Sequence, residues 1–236
     1  EAAPMTDSQV LSVRNLDTRF QTQAGEVRAV DDVSFDLQKG EILGLVGESG
    51  SGKSVTGFSI MGLIDEPGKI HGGQIRFKGE DLINAGDKRY NRLRGREIAM
   101  IFQDPMMTLN PLLRIDTQMI EAILAHEAVS RESARQRARD ALGMVGISSP
   151  DERLRAYPHQ FSGGMRQRVV IAISMLHAPD IIIADEPTTA LDVTIQAQIL
   201  YEMQKLRQKH SVSIIWITHD LSVISALADR VCVMYA

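Results

Sequence analysis

Segment 47–54 of this 236-residue chain has residue types suited to holding a phosphate tail, and it reads Gly47-Glu48-Ser49-Gly50-Ser51-Gly52-Lys53-Ser54. Glycines let consecutive backbone N–H groups converge on phosphate oxygens, where a β-carbon would block the approach. At this spacing Lys53 can reach the β- and γ-phosphates, and the hydroxyl of Ser54 can bind Mg²⁺. The segment therefore predicts a loop that binds ATP and Mg²⁺, with Val55 as the last contact residue. A glycine-rich turn without a ligand is the alternative.

Two carboxylates follow an apolar run far downstream. Asp185 and Glu186 come directly after Ile181–Ala184, which is typical of a buried strand. Asp185 is suited to the Mg²⁺ shell, and Glu186 can polarise a water for attack on the γ-phosphate. A pair of solvated acids that caps a strand is the alternative, and without the phosphate loop this pair would be weak evidence. Together the two segments predict an ATP-hydrolysing site.

The elements around these segments predict an α/β fold. Glu41–Val46 has strand character and leads directly into the phosphate loop, after which Val55–Leu63 has helical composition. A further strand is predicted at Ser213–Thr218, one helix is predicted to end near Leu176, and another is marked by Ile195, Ile199, Met203 and Leu206. We therefore expect a phosphate-loop ATPase core with a mainly parallel sheet, preceded by an N-terminal antiparallel β subdomain.

The middle of the chain has helical periodicity instead. Apolar residues recur at helical spacing in 119–124, and a charged stretch of similar periodicity covers 130–141. We predict an α-helical subdomain inserted at about 104–165 of one ATPase domain that covers 1–236.

The composition sets limits on location and on partners. A net charge of −4 and a pI near 5.9 give no global reason to expect nucleic acid. The arginine-rich stretches Lys88–Arg96 and Arg131–Arg139 have acidic residues within or beside them, at Glu97, Glu132 and Asp140, and are interpreted as solvated faces. Cys232 has no second cysteine to pair with, no apolar run approaches the length of a membrane span, and Glu1-Ala2-Ala3-Pro4 lacks signal-peptide character. These features favour the cytoplasm.

Further motifs, in a fixed order, identify a family. Ser162-Gly163-Gly164, shortly before the acidic strand, resembles the signature of ABC-type ATPases. Gln103 resembles the Q-loop, Ala190-Leu191-Asp192 the D-loop, and His219 the switch histidine of that family.

Closer motifs resemble the ATP-binding subunits of dipeptide and oligopeptide transporters, a family that includes nickel and glutathione importers. They are Ile60-Met61-Gly62-Leu63, Phe102-Gln103-Asp104-Pro105, Tyr157-Pro158-His159-Gln160 and 188–194. The resemblance implies a peripheral subunit at the cytoplasmic face of the inner membrane. With a second copy or a paralogue it would drive two integral membrane permease subunits, fed by an extracytoplasmic solute-binding protein. It implies no nucleic-acid partner.

The resemblance also implies roles for individual residues. Gln103 would bind the metal and sense the transport subunit, and His219 would contact the γ-phosphate. Ser162-Gly163-Gly164 would contact ATP held by the phosphate loop of a second copy. Phe20 lies where the family carries an aromatic that stacks on adenine, just upstream of a short insertion at 21–26. The alternatives are a strand-ending polar residue for Gln103, a helix cap for His219 and a buried strand aromatic for Phe20.

The chain departs from the family pattern at two signature residues, and it leaves rival functions open. Phe161 and Met165 stand where the family most often has Leu and Gln, and a methionine side chain offers the nucleotide no hydrogen bond. The family domain is expected to continue beyond Ala236. A non-transport ABC ATPase acting on nucleic acid or ribosomes is the alternative function, and a degenerate nucleotide-binding module is a second rival that the presence of Lys53, Glu186 and His219 disfavours.

Overall fold

A computed structural model describes residues 5–189 and 191–235 of the chain. Segment 1–4 and Ala190, which belongs to the predicted D-loop, lie outside the described residues. The chain divides into two compact units, one formed by the residues up to Asn91 together with those from Ser211 onward, and the other by Arg92–His210.

The first unit contains a four-stranded antiparallel sheet. Its strands are β1 (Gln9–Thr22), β2 (Gly25–Gln38), β4 (Gly68–Phe77) and the short β5 (Glu80–Asp81), in the order β2-β1-β4-β5. Residues 21–26, predicted as an insertion, form the end of the β1–β2 hairpin, where Gln21 pairs with Glu26 and Thr22 with Gly25. The predicted antiparallel subdomain is therefore confirmed.

The same unit contains parallel strands. Strand β3 (Ile42–Gly47) pairs with β8 (Ser213–Thr218) on one side and with β9 (Arg230–Met234) on the other. Every residue of β8 is buried, as expected for a parallel strand covered on both faces. Helix α8 (Leu221–Leu227) packs against β3 and β8. The predicted parallel strands are present at 42–47 and 213–218.

Helix α1 (Lys53–Met61) starts two residues before the predicted Val55. Gly52 precedes it in the left-handed conformation, with φ of 86°, and this geometry turns the chain from the loop straight into the helix. Helix α2 (Asp87–Leu93) follows β5 in the chain.

The second unit is mainly helical around two parallel strands. These strands are β6 (Ile98–Ile101) and β7 (Ile181–Asp185). The helices are α3 (Ile115–Leu124), α4 (Arg131–Met144), α5 (Pro150–Leu154), α6 (Gly163–Ser174) and α7 (Val193–His210), with short 3₁₀ turns at Pro105–Met107 and Pro158–Gln160. Helices α3 to α5 lie within the predicted insert.

The charged helix α4 is tied to its neighbours by ion pairs. Its buried residues are Ala134, Ala138, Ala141 and Leu142, and the helix packs against α3 and α6. Arg135 pairs with Asp116 at 2.9 Å, and Arg137 pairs with Glu127 at 2.5 Å. These arginines are therefore only partly solvated, because their guanidinium groups bind carboxylates of the same unit. In the part of the chain that the structure describes, no helix is both long and apolar enough to cross a membrane.

Glu127 makes the second unit sensitive to acid. Hydrogen bonds from Arg137, together with one from His177, lower the pKa of Glu127 from its ordinary value of 4.5 to about 2. Because the folded protein favours the deprotonated carboxylate, this group stabilises the fold above pH about 4.5, and the contribution is lost as the pH falls toward 2.

We expect Glu127→Gln to lower the melting temperature at pH 7 by about 2 to 4 °C, as for a loss of about 1 kcal/mol. Thermal unfolding between pH 3 and 7 measures this, and the gap between wild type and variant must shrink toward acid. The exposed Glu121→Gln is the control, and a gap that does not change with pH would contradict the assignment.

Candidate functional site

The backbone of the phosphate loop approaches its neighbours so closely that two positions must be glycine. A β-carbon at Gly47 would lie 2.3 Å from the carbonyl oxygen of Met234, and one at Gly52 would lie 2.0 Å from that of Ala29. Neither position can accept a side chain without moving the backbone. The packing of β3, β9 and β2 around the loop therefore requires glycine at these two fixed positions of the motif.

Lys53 is held inside this loop. Its side chain is buried, and its Nζ donates to the carbonyl oxygens of Gly47 at 2.9 Å and Glu48 at 2.7 Å. The N-cap residue of α1 is Gly52, which has no side chain to cap the helix, and the first turn of the helix contains no acidic residue. The loop thus combines a buried ammonium with a helix end whose positive dipole no first-turn carboxylate neutralises, which is a setting suited to an anion.

His219 follows the carboxyl end of β8 and is exposed. The neighbouring Asp220 caps α8, because its carboxylate accepts from the backbone N–H of Ser222 at 2.8 Å and from the hydroxyl of Ser222 at 2.6 Å. The same hydrogen bonds lower the pKa of Asp220. The alternative interpretation of His219 as the helix cap is therefore wrong.

Phe20 lies near the hairpin end of β1, opposite Val27 on β2 and Gly68 on β4. Its ring is half-buried, and a β-carbon at Gly68 would lie 2.5 Å from it. One part of the ring therefore contacts the sheet backbone, and another part is accessible. This placement is compatible both with a strand aromatic and with stacking on a base.

The two acids of the second unit end strand β7. Asp185 is its last residue and is buried, whereas Glu186 has a φ of 45° in the left-handed region. This conformation is unfavourable for a residue with a side chain, and such residues concentrate at functional sites. It marks the point where the chain turns away from the strand.

The carboxylate of Glu186 is contacted by Thr189 and Gln103. Its Oε2 accepts a hydrogen bond from the hydroxyl of Thr189 at 2.9 Å, and Nε2 of Gln103 lies 3.5 Å away. The structure thus brings together Gln103 and Glu186, which sequence reasoning had placed in one site. Thr189 lies in the family motif 188–194, but the sequence assigns it no role toward Glu186.

The signature segment starts helix α6. The hydroxyl of Ser162 accepts from the backbone N–H of Met165 at 3.3 Å and caps the helix. A β-carbon at Gly164 would lie 2.7 Å from Ile195, whereas one at the exposed Gly163 would lie 3.8 Å from its nearest neighbour, Leu191. Packing on α7 therefore explains glycine at 164 but not at 163. A ligand that approaches the backbone closely would explain the glycine at position 163.

Phe161 has a structural partner that the sequence did not reveal. The residue is buried, and the guanidinium carbon of Arg153 on α5 lies 5.8 Å from its ring centroid. A cation over an aromatic face is a favourable contact that a leucine could not make. The departure at this position therefore fits the local packing of this chain.

The predicted metal ligands have chemistry that suits Mg²⁺. The hydroxyl of Ser54, the carboxylate of Asp185 and the side-chain oxygen of Gln103 are hard oxygen donors. Mg²⁺ prefers such donors, and it usually combines one or two carboxylates with substrate phosphates and water. The donor set therefore fits the ion.

Comparisons with known proteins agree with this description. A family model described as ABC transporter matches residues 30–189. A solved structure described as the dimeric structure of MJ0796, a bacterial ABC transporter cassette, superposes with a TM-score of 0.83 at 28% identity, over 95% of this chain and 94% of that one. A structure of the same cassette in a post-hydrolysis state, bound to ADP and Pi, gives a TM-score of 0.82 at 28% identity, again over 95% of this chain and 94% of that one. The chain therefore belongs to the ABC transporter family and is an ATPase of that family.

Several curated relatives are much more similar in sequence. The dipeptide transport ATP-binding protein DppD of Bacillus subtilis (strain 168) is 56% identical over 96% of this chain and 68% of its own length. The oligopeptide transport ATP-binding protein OppD of the same strain is 53% identical over 97% of this chain and 64% of its own length. DppD of Escherichia coli (strain K12) is 48% identical over 96% of this chain and 69% of its own length. The chain thus spans about two thirds of these relatives, and the resemblance inferred from its motifs is confirmed.

Proposed function

We propose that this chain is the ATP-hydrolysing subunit of an importer for dipeptides, oligopeptides or a related small solute. The observation that carries the proposal is the identity of 56% to a dipeptide transport subunit across almost the whole chain. The relatives named above are transport proteins, so the similarity favours transport over the alternative that acts on nucleic acid or ribosomes. The chain spans only part of their length, so the activity of the whole protein is also something that we propose.

The phosphate-binding step is assigned to segment 47–54 and Val55. We assign the β- and γ-phosphates to Lys53, whose ammonium already lies beside the carbonyl oxygens of the loop. Backbone N–H groups at the start of α1 would bind the remaining phosphate oxygens. Phe20 would stack on the adenine through the accessible part of its ring, since stacking requires an aromatic face and no specific hydrogen bond.

The hydrolytic step is assigned to Glu186, with Ser54, Asp185 and Gln103 as the residues that would hold Mg²⁺. The bound ion would neutralise charge on the phosphate oxygens during transfer. Glu186 would accept a proton from the attacking water as a general base. The hydrogen bond from Thr189 would hold its carboxylate in one orientation for this step. His219, exposed after β8, would hydrogen-bond the γ-phosphate and help to orient that water.

The dimer is the third part of the proposal. In it, Ser162, Gly163 and Gly164 of one copy would close over ATP in the phosphate loop of a second copy or a paralogue. The exposed Gly163 and the amino end of α6 support this role, because both can approach a phosphate closely. ATP would then form part of the interface, and hydrolysis would open it. The dimer would act on two integral membrane permease subunits at the cytoplasmic face of the membrane, with an extracytoplasmic binding protein delivering the solute.

Substitution at Ser162 tests this dimer. In a Glu186→Gln background, which we expect to bind ATP without hydrolysing it at the wild-type rate, Ser162→Arg should abolish ATP-dependent dimerisation. The arginine removes the helix cap and places a large side chain where the second nucleotide would lie. Gel filtration with and without Mg-ATP measures the result.

Two controls make the experiment specific. Ser162→Thr retains the capping hydroxyl and is expected to preserve the dimer. ATP binding by the monomer should survive Ser162→Arg within about threefold, which excludes unfolding. An ATP-induced dimer of unchanged strength in Ser162→Arg would overturn the proposed arrangement.

A further inference from the structure

Gln167 on α6 carries a buried amide without a hydrogen-bond partner. Its side chain is 1% exposed, and Nε2 makes no hydrogen bond to any part of the chain that the structure describes. A buried N–H without an acceptor is destabilising, so native proteins rarely retain one unless ordered water, a ligand or another state of the protein supplies the acceptor. None of the steps assigned above uses this group.

A cavity within the second unit lies beside this amide. Its volume is about 200 Å³, and it is lined by Gln167 and Gly163 of α6, by segment 103–106 and by Pro187. Such a space exceeds the volume of several water molecules. It can therefore accept a shift of the segment on its far wall.

Segment 103–106 supplies acceptors and is not tightly fixed to Glu186. Gln103 is exposed, and its 3.5 Å contact with Glu186 is at the outer limit of a hydrogen bond. One carboxylate oxygen of Asp104 is already used, since it accepts from the backbone N–H of Met106 at 2.9 Å. The backbone carbonyls of Asp104 and Pro105 already accept from Met107, Thr108 and Leu109. Gln103 and Met106 therefore carry the neutral carbonyl acceptors of this cavity-lining segment that a shift could bring to Gln167.

We propose that Gln167 is a positioning residue for Gln103, and that its amide donates to a backbone carbonyl of segment 103–106 when ATP binding draws that segment into the cavity. The proposal rests on the proposed function and adds a residue to it. A donor that finds its acceptor in only one state favours that state. Gln167 therefore links the helix that begins with the signature to the segment that carries Gln103, within one unit of the chain.

The test replaces the amide with an apolar side chain of similar volume, Gln167→Leu. Removal of an unpaired buried donor should leave the melting temperature of the nucleotide-free protein unchanged or raise it by about 2 to 4 °C. The same change should lower kcat for ATP about 10-fold while KM stays within about threefold, because the ATP-bound arrangement loses its hydrogen bond. Gln136→Leu, at an exposed glutamine on α4, is the matched control and should leave the melting temperature, kcat and KM unchanged.

Hydrogen exchange measures ATP-dependent protection of backbone amides, which would not change if Gln167 had a purely structural role. In the Glu186→Gln background, Mg-ATP should protect the backbone amides of residues 103–109, and Gln167→Leu should remove that protection. A kcat within twofold of wild type, or unchanged protection, would overturn the inference. A melting temperature lowered by more than about 5 °C would also overturn it, because Gln167 would then be needed for the fold itself. Wild type without ATP turnover would instead refute the proposed function.

Discussion

Glu186→Gln is expected to lower kcat for ATP hydrolysis by about 10²-fold or more while leaving ATP affinity within about threefold. The amide has nearly the shape of the carboxylate and can still accept the hydrogen bond that Thr189 donates at 2.9 Å. It cannot take a proton from water, and loss of a positioned general base costs about 10²- to 10⁴-fold in rate. Steady-state phosphate release and equilibrium binding of ATP measure the two quantities separately.

The matched control for this prediction is Glu121→Gln, at an exposed carboxylate on α3. It makes the same chemical change away from the site and should retain the wild-type rate. Wild-type turnover in Glu186→Gln would refute the assignment of the base. Loss of ATP binding in that variant would instead assign Glu186 to nucleotide binding.

The strands that carry the site could be predicted from sequence. Strands β3, β7 and β8 are almost entirely buried, so each gives a continuous apolar run, and the phosphate loop and the acids follow two of these runs directly. The two ends of α1 were less predictable, because the left-handed Gly52 starts the helix earlier than its composition indicates and the left-handed Gly62 ends it earlier. Local pattern therefore located the elements, and backbone geometry set their limits.

The surroundings of Glu186 could not be predicted in the same way. The hydrogen bond from Thr189 depends on the left-handed conformation of Glu186, which no propensity favours for a glutamate. The approach of Gln103 depends on the pairing of β6 with β7, two strands that are distant in sequence. These contacts arise from tertiary structure, so the motifs alone identified the residues without their orientation.

Phe161 and Gln167 illustrate the same limit in the signature region. Phe161 was noted only as a departure from the family pattern, whereas Arg153 over its ring gives it a local reason. Gln167 is an ordinary helical glutamine in the sequence, and only its burial and the lack of a partner for Nε2 among the described residues distinguish it. The information that decides both cases is the three-dimensional neighbourhood of one side chain.

Lys53→Ala should weaken ATP binding by about 10²-fold or more. Hydrogen bonds from a charged donor contribute about 1.5 to 3 kcal/mol each, and the ammonium would contact two phosphates. In the structure the same group donates to Gly47 and Glu48, so its removal also leaves two loop carbonyls without that donor. Loss of binding could then reflect a disturbed loop instead of a missing phosphate contact.

Lys53→Met separates these two causes. Methionine retains most of the buried stem of lysine and removes only the charge, so packing at this 5% exposed position is largely preserved. We expect both variants to lose ATP binding in equilibrium titrations, with Lys53→Met retaining the higher melting temperature. The exposed Lys69→Ala is the control and should bind ATP like wild type. If Lys53→Met bound ATP normally while Lys53→Ala did not, Lys53 would act by filling the loop, and the phosphate contact would have to be assigned to the backbone N–H groups alone.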